Sequence, residues 1–235
     1  MTTIINVLGF NKDALVAWAK REGERADQIS KEACDLGSYI HAVLEAHVYG
    51  TIPDREITKS ASMEAVVLGD EARRRFDMFL KSNNANILES EYIIINDESM
   101  WGGTTDGIIQ MGDGKKYVFD FKTAKGIFRD HIIQLAAYIE GVKIMSHYPP
   151  EIKDKIIQNN KTNKHTKDMS IHNYSDIENG GVLFHINKNP TIENVLKPCI
   201  IPNDIISMGI NDWHHALELY SSRLIMNKFL KEINK

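Results

Sequence analysis

The 235-residue sequence has two cysteines, Cys34 and Cys199, and no long uncharged apolar run. Two thiols cannot supply the ligands of a four-cysteine zinc or iron–sulfur site, so sites of that kind are excluded. We expect both cysteines to be reduced and buried. Because no apolar stretch approaches the ~20 residues that a helix needs to cross a bilayer, we also expect no membrane partner.

An excess of positive charge is missing as well. The formal net charge is −4 and the pI is about 6.1. The overall field therefore does not attract nucleic acid, and any contact with DNA must come from a local basic patch. Residues Met1 to Asn6 carry neither the basic region nor the cleavage site of a secretory signal peptide, so we expect a cytoplasmic protein.

The strongest pattern in the chain predicts a β-hairpin. Asp113-Gly114 separates two β-prone runs and is typical of a tight hairpin turn. The second run alternates, so that its aromatic residues share one face while Asp120 and Lys122 share the other. Hairpin pairing brings Asp106, in the first run, close to Asp120.

These residue types in this arrangement indicate a site for a divalent metal ion. The carboxylates of Asp106 and Asp120 repel one another when they are close, and a cation removes that repulsion. Mg²⁺ suits such a site because it binds a few carboxylates together with substrate phosphate oxygens and keeps several waters. Lys122 is then placed to hold or help deprotonate the attacking water, or to stabilise charge on phosphorus. The expected cofactor is one or two Mg²⁺ or Mn²⁺ ions.

A helix is predicted to follow the hairpin. Gln134 and Tyr138 are four residues apart and therefore share one helical face, with His131 one turn before Gln134. A separate apolar stripe, which should face the sheet, is formed by Ile132, Leu135, Ile139 and Val142.

The ordered set of motifs resembles the PD-(D/E)XK nuclease superfamily, and most of all its RecB-like branch with the pattern G-x-x-D, D-x-K-T and Q-x-x-x-Y. The matching segments are 102–107, 120–123 and 134–138. The resemblance implies an α/β (α+β) fold, with a small mixed sheet flanked by helices in a restriction-endonuclease-like core and an N-terminal helical wall beside the cleft. It also implies hydrolysis of DNA phosphodiester bonds that leaves 5′-phosphate and 3′-hydroxyl ends.

The opening of the chain, as far as His41, is also similar to phage exonucleases and the mitochondrial genome maintenance exonuclease-like branch. This resemblance implies an exonuclease that acts on the ends of DNA or on single strands, in a bacterial or phage-infected cell. Whether the DNA is single- or double-stranded stays open. Asp106, Asp120 and Lys122 are the implied catalytic residues, and Gln134 and Tyr138 would orient Lys122 or the substrate strand.

Further metal ligands follow from the same resemblance. His41 matches the histidine of a G-x-x-x-H helix that helps to bind metal, so we expect it to contact metal or phosphate. Related nucleases carry a glutamate on the first strand, and Glu91 fits that place best, with Glu89 as the alternative. The carbonyl of Phe121 is a further ligand. Glu45, one turn after His41, has an orienting role at most.

Length and composition suit a single nuclease domain, since 43% of the 235 residues are hydrophobic. We divide it into an N-terminal helical part (1–85), a catalytic core (86–146), a polar insert (147–180), and C-terminal strands with a helix (181–235).

Several elements within these parts are predicted from local patterns. Helices are expected over about residues 27–49 and 62–82, and an alternating strand over 86–96. Residues 160–178, within the insert, lack apolar periodicity and are predicted to be a mobile surface loop. The packing face of the C-terminal helix is expected to consist of Trp213, Ala216, Leu217, Tyr220, Leu224 and Phe229.

Two other function classes compete with a nuclease. The first is a nuclease fold used as a catalytically inactive DNA-binding or assembly module, and the presence of Asp106, Asp120 and Lys122 argues against it. The second is a zinc hydrolase built on histidines, which is disfavoured because no two histidines show the H-x-x-x-H ligand spacing.

Overall fold

A computed structural model describes residues 1–9, 12–59, 61–160, 172–187 and 195–233. Within these ranges the chain forms a mixed five-stranded sheet with helices packed on both faces. The predicted fold class, a small mixed sheet flanked by helices, is confirmed at this level.

The strands lie side by side in the order of the chain. They are β1 (Asn86–Asn96), β2 (Trp101–Gln110), β3 (Lys116–Lys122), β4 (Gly181–Ile186) and β5 (Leu196–Ile201). Neighbouring strands are antiparallel except β3 and β4, which are parallel. A parallel pair needs a long crossover, and the helices between β3 and β4 supply it. The predicted hairpin of β2 and β3 and the predicted first strand are confirmed.

Eight α-helices occur in the described part of the chain. They are α1 (Thr2–Ile5), α2 (Lys12–Glu22), α3 (Ala26–Tyr49), α4 (Arg55–Lys59), α5 (Met63–Ser82), α6 (Arg129–His147), α7 (Pro150–Asn160) and α8 (Asn203–Ile233). Helix α5 begins at a hydroxyl cap, because Ser62 Oγ accepts a hydrogen bond from the Ala65 N–H at 3.1 Å. The helices predicted over 27–49 and 62–82 are confirmed.

One face of the sheet is covered by α3 and α5. Ring centroids of neighbouring phenylalanines on this side lie 5.0–6.2 Å apart, and most pairs are edge to face. The rings belong to Phe76, Phe79, Phe119, Phe121 and Phe184. Each such pair contributes about 0.5–1.5 kcal/mol beyond its buried area. The aromatic face of the second hairpin strand therefore lies in a core, as its alternation predicts.

The opposite face of the sheet is covered by α6, with α8 packed outside it. The Trp213 ring of α8 packs edge to face on Trp101 of β2, with centroids 5.0 Å apart. Helix α6 is therefore buried on its outer side as well as along its predicted stripe. Fully buried residues on this side include Ile94, Val118, Leu135, Val142, Leu183 and Trp213.

The expected packing face of α8 is correct only for the first half of the helix. Trp213 and Ala216 are fully buried, whereas Leu224 and Phe229 are 53% and 59% exposed. At 1.5 Å per residue, α8 is about 46 Å long and α6 about 28 Å, so the second half of α8 extends beyond the helix that covers it.

The end of the polar insert is packed, which corrects the prediction of a mobile loop over 160–178. Residues 161–171 lie outside the described residues, but Tyr174 and Ile177 are buried in the core on the α6 side. The Tyr174 N–H donates to Ser146 Oγ at 2.8 Å, which fastens the returning chain to α6.

Two smaller expectations have clear outcomes. Cys34 is exposed and Cys199 is partly exposed, so the prediction of buried thiols is wrong, although both are free thiols. Within the described ranges, every helix falls short of the combined length and apolar character that a bilayer span requires.

Candidate active site

Asp106 lies where β2 and β3 stop pairing. The ladder between the two strands ends at the Gly107–Phe119 pair. Beyond that pair, Asp106 Oδ2 accepts a hydrogen bond from the Phe121 backbone N–H at 2.5 Å. The carboxylate thus replaces a backbone acceptor of the ladder, and its second oxygen, Oδ1, lies near His41 of α3.

Gly107 makes this arrangement possible. A Cβ at Gly107 would lie 2.2 Å from the Glu89 carbonyl oxygen and 2.7 Å from two ring atoms of Phe119. No side chain fits in that space, because the backbone of β1 and the ring from β3 both occupy it. The glycine that follows Asp106 in the sequence motif therefore has a packing role.

Asp120 is a buried carboxylate beside a lysine. The Lys122 ammonium forms an ion pair with Asp120 Oδ2. Burial raises the pKa of Asp120, Asp106 adds to the rise, and Lys122 opposes it. A buried carboxylate is costly unless it is paired with a cation, and the Lys122 ammonium supplies that cation here.

A hydrogen-bonded chain holds Lys122 in place. Its Nζ donates to Gln134 Oε1 at 2.7 Å, and Gln134 Nε2 donates to the Tyr138 hydroxyl oxygen at 2.9 Å. Lysine can only donate, so the amide oxygen must face Lys122 and the amide nitrogen must face Tyr138. The three residues that the sequence groups together are therefore in contact.

His41 of α3 faces Asp106. Its Nδ1 lies 3.3 Å from Asp106 Oδ1, and its ring packs edge to face on Phe121 with centroids 6.0 Å apart. Burial lowers the pKa of His41, but the carboxylates of Asp106 and Asp120 outweigh this, so that the net direction is upward.

Glu91 joins the same group of acids, through an irregularity in β1. Its φ is +50°, a left-handed conformation that is uncommon for a residue with a side chain. Burial raises the pKa of Glu91 to about 7, and Asp106, Glu45 and Asp120 add to the rise. Glu91 therefore lies close to the acidic residues of β2, β3 and α3.

Glu89, the alternative to Glu91, is used elsewhere. Its Oε1 accepts a hydrogen bond from the Tyr174 hydroxyl at 2.7 Å and also contacts His172 Nδ1. Strand alternation predicts that Glu89 and Glu91 share a face, but the left-handed residue at Glu91 changes the direction of its side chain. Glu89 fastens the end of the insert to β1, and Glu91 faces the candidate site.

The carboxylates of this site are suitable ligands for a divalent cation, but they are not arranged as a coordination group. In the part of the chain that the structure describes, no three His, Cys, Asp or Glu side chains form a ready coordination group. The reason is visible in the contacts, since Asp106 bonds the Phe121 N–H and Asp120 lies on Lys122. The donors are nevertheless carboxylate oxygens, which Mg²⁺ prefers, and Asp120 is buried, with Asp106 close enough to raise its pKa after burial.

The Phe121 carbonyl also faces this group. In a strand, the N–H and C=O of one residue point to the same edge, because paired residues exchange both bonds. The Phe121 N–H points to Asp106, so its carbonyl is on the side of the acids. The predicted ligands His41, Glu91, Asp106 and Asp120 thus surround the end of β3 together with this carbonyl.

Sequence reasoning gave no role to two groups beside Lys122. His185 of β4 is the register partner of Lys122, and its Nε2 lies 2.8 Å from the Ala124 carbonyl oxygen. His131 is close enough for Lys122 and His185 to lower its pKa further, after burial. The parallel pairing of β3 with β4 brings His185 here, and no local pattern in the sequence predicts which strand pairs with β3.

Comparison with known proteins adds no family assignment. No protein-family model and no curated protein sequence matches the chain. The function must therefore be argued from the motifs and from the geometry of the residues around Asp106 and Asp120.

Proposed function

We propose that the protein is a Mg²⁺- or Mn²⁺-dependent nuclease that hydrolyses phosphodiester bonds of DNA, on a restriction-endonuclease-like core. One observation carries the proposal. Asp106 and Asp120 meet at the end of the central strand, beside a lysine that a glutamine and a tyrosine hold in place. Carboxylates beside a positioned ammonium suit phosphoryl transfer, where catalysis is mostly positioning and charge stabilisation.

The residues that would hold the ion are Asp106, Asp120, Glu91 and the Phe121 carbonyl, with His41 as a further ligand or a phosphate contact. When bound, the ion stabilises negative charge on the phosphate and makes water a better nucleophile. Burial, and then repulsion by neighbouring carboxylates, raises the pKa of Glu91, and a cation at the same place would relieve that repulsion.

Lys122 acts on the reacting phosphate or on the water that attacks it. Its bond to Gln134 Oε1 and its contact with Asp120 fix the ammonium at the end of β3, and its third N–H group is a donor for a phosphate oxygen or for water. Fixing the ammonium before the substrate arrives removes the entropic cost of positioning it during the reaction.

Tyr138 supplies a second donor. Its hydroxyl oxygen already accepts from Gln134 Nε2, so its own proton is directed elsewhere. Burial raises the pKa of Tyr138, and Asp120 and Asp106 add to the rise, so that the hydroxyl stays protonated. It can therefore donate to an oxygen of the substrate strand.

The experiment that tests the proposal uses end-labelled linear and circular DNA, single- and double-stranded, with Mg²⁺, with Mn²⁺ or with EDTA. We expect Mg²⁺-dependent shortening of linear DNA and resistance of circular DNA, as for an exonuclease. Asp120→Asn, which keeps the size of the side chain and removes its charge, should be inactive. Cleavage that persists in EDTA, or absence of cleavage of all four substrates in both Mg²⁺ and Mn²⁺, would contradict the proposal.

A second candidate function is a non-catalytic DNA-binding module on the same fold. It is favoured by the contact between Lys122 and Asp120, which engages both residues with each other. Binding of DNA without cleavage in either metal would support this candidate.

A further inference from the structure

An exposed aromatic ring lies beside the candidate site. The loop that leaves β3 ends at Phe128, the N-cap of α6, and this residue is 40% exposed. Lys125, in the same loop, is also exposed. The loop starts directly after Lys122, so an exposed ring and an exposed ammonium follow the lysine of the candidate site within one short segment.

His131 is locked in one tautomer against this ring. The Phe128 backbone N–H donates to His131 Nδ1 at 3.2 Å, and the two rings pack edge to face with centroids 5.5 Å apart. Burial lowers the pKa of His131, and Lys122 and His185 add to this, so the ring is neutral near pH 7. With Nδ1 acting as acceptor, the proton must be on Nε2.

The Nε2–H of His131 is available to a ligand. In the described part of the chain this atom has no hydrogen-bond partner, and it is not a buried atom. His131 is one turn before Gln134, the residue that holds Lys122. His131 is therefore on the side of α6 that faces Lys122.

An ion pair connects the first turn of α6 to α8. Arg129 makes a bidentate ion pair with Asp212 of α8, with both N–O distances at 2.9 Å. This pair fixes the helix end that carries Phe128 and His131. Because the arginine is engaged with Asp212 and Asp130 is a carboxylate with a buried oxygen, the ring and the imidazole are the groups of this turn that suit a base and a phosphate.

We propose that Phe128 and His131 form a subsite for one unpaired nucleotide, in which the base stacks on the Phe128 ring and the neighbouring phosphate accepts from His131 Nε2. The subsite rests on the proposed nuclease function and assigns it a single-stranded substrate. A base within a duplex is stacked on both sides and paired, so its face cannot reach a protein ring, whereas an unpaired base is free to stack.

The inference is tested by binding and cleavage of single-stranded oligonucleotides. Binding is measured by fluorescence anisotropy on the Asp120→Asn protein with Mg²⁺, using a thymidine oligomer and an oligomer of the same length with abasic sites. Stacking on an aromatic side chain changes affinity by about 5-fold or more per base. We expect Phe128→Ala to weaken binding of the thymidine oligomer by at least that factor and to leave the abasic oligomer unchanged.

Matched variants separate the subsite from general effects. Phe128→Trp should keep the affinity, because it keeps a stacking ring. Phe229→Ala, at an exposed phenylalanine on the distal part of α8, should have no effect. His131→Ala and His131→Gln should weaken both oligomers, since the phosphate is present in each. In the cleaving protein, Phe128→Ala should raise KM more than it lowers kcat.

The outcomes distinguish this inference from the nuclease proposal. If Phe128→Ala binds both oligomers like the parent, or weakens both equally, the stacking subsite is wrong even when the wild type cleaves DNA. A parent protein that binds no single-stranded oligomer also overturns the subsite. If binding depends on the base and on Phe128 but the protein cleaves no DNA, the subsite is supported and the nuclease proposal is wrong.

Discussion

Gly37 of α3 lies directly against Thr123 at the end of β3: a Cβ at Gly37 would be 2.7 Å from Thr123 Oγ1. The helix can come this close only because position 37 has no side chain. One turn later along the same helix face, His41 reaches Asp106. The glycine of the G-x-x-x-H pattern therefore sets the distance between the helical wall and the acids.

This contact gives a prediction for a pair of variants. Gly37→Ala should displace α3 or Thr123 and raise the metal concentration for half-maximal cleavage. Thr123→Ala in the same protein should restore the wild-type value, because the next atom, Thr123 Cβ, is at an ordinary 3.9 Å. A metal titration of the single and double variants checks this. If the double variant is as impaired as Gly37→Ala, the close approach is not the cause.

His41→Ala should weaken metal binding and leave the fold intact. The residue is one of several groups around the ion, and losses of this kind cost about 10–100-fold in metal affinity or activity. Glu45→Gln should have a smaller effect, since Glu45 acts through Glu91. His47→Ala is the matched control on the same helix: its Nε2 contacts Asp77 at 2.6 Å, so it should lower the melting temperature without changing metal dependence. If the metal titration of His41→Ala matches that of the wild type, His41 does not bind the metal and α3 only lines the cleft.

Replacement of Asp106, Asp120 or Lys122 by alanine should abolish cleavage. Replacement of Asp106 should also lower the free energy of unfolding. Asp106→Ala leaves the Phe121 N–H without its acceptor, which costs about 1–3 kcal/mol for a buried donor. Asp106→Asn keeps an acceptor oxygen, so it should be inactive yet more stable than Asp106→Ala. Urea unfolding of the two variants measures the difference. Equal stability would show that the hydrogen bond contributes little.

The metal-free protein should lose stability as the pH rises through neutrality. Glu91 has a pKa of about 7 in the folded state against an ordinary value of 4.5. A raised pKa contributes stability that is fully present below pH 4.5 and is lost as the pH rises through 7. The melting temperature in EDTA should therefore fall between pH 5 and pH 8, less so in Glu91→Gln, and Mg²⁺ should restore it at pH 8. If the melting temperatures of wild type and Glu91→Gln change with pH in parallel, Glu91 is not the cause of the pH dependence.

The packed end of the insert can be tested by truncation of a buried side chain. Ile177→Ala should destabilise the protein by about 2–5 kcal/mol, the usual cost of removing a buried isoleucine side chain. Activity at low temperature should be retained, because Ile177 lies in the core away from the acids. The neighbouring exposed position Asp176→Ala should have a much smaller effect. If Ile177→Ala has the same free energy of unfolding as the wild type, this segment is a surface loop and not a packed part of the core.

Local patterns predicted the elements that carry the site, since their signals are contained in a few adjacent residues. The hairpin turn at Asp113-Gly114 is one example, and the helical spacing of Gln134 and Tyr138 is another. Both depend on backbone geometry over a short stretch, which the sequence encodes directly.

Features that depend on packing between distant segments were not predicted. The left-handed backbone at Glu91 directs its side chain away from that of Glu89. It has no local sequence signal, because neither glycine nor asparagine occupies the position. The burial of Ile177 and the exposure of Phe229 likewise depend on which surfaces meet. Apolar content alone does not specify those partners.

The position of β3 as the third of five strands has a consequence for motion. Residues 116–119 of β3 pair with β2, residues 118–122 pair with β4, and both faces of the sheet are covered, so the paired amides should exchange with solvent only on opening of the sheet. Asp120 and Lys122 are attached to backbone that is paired with β4. Their conformational entropy was therefore lost when the chain folded. Substrate binding does not have to order these two side chains again.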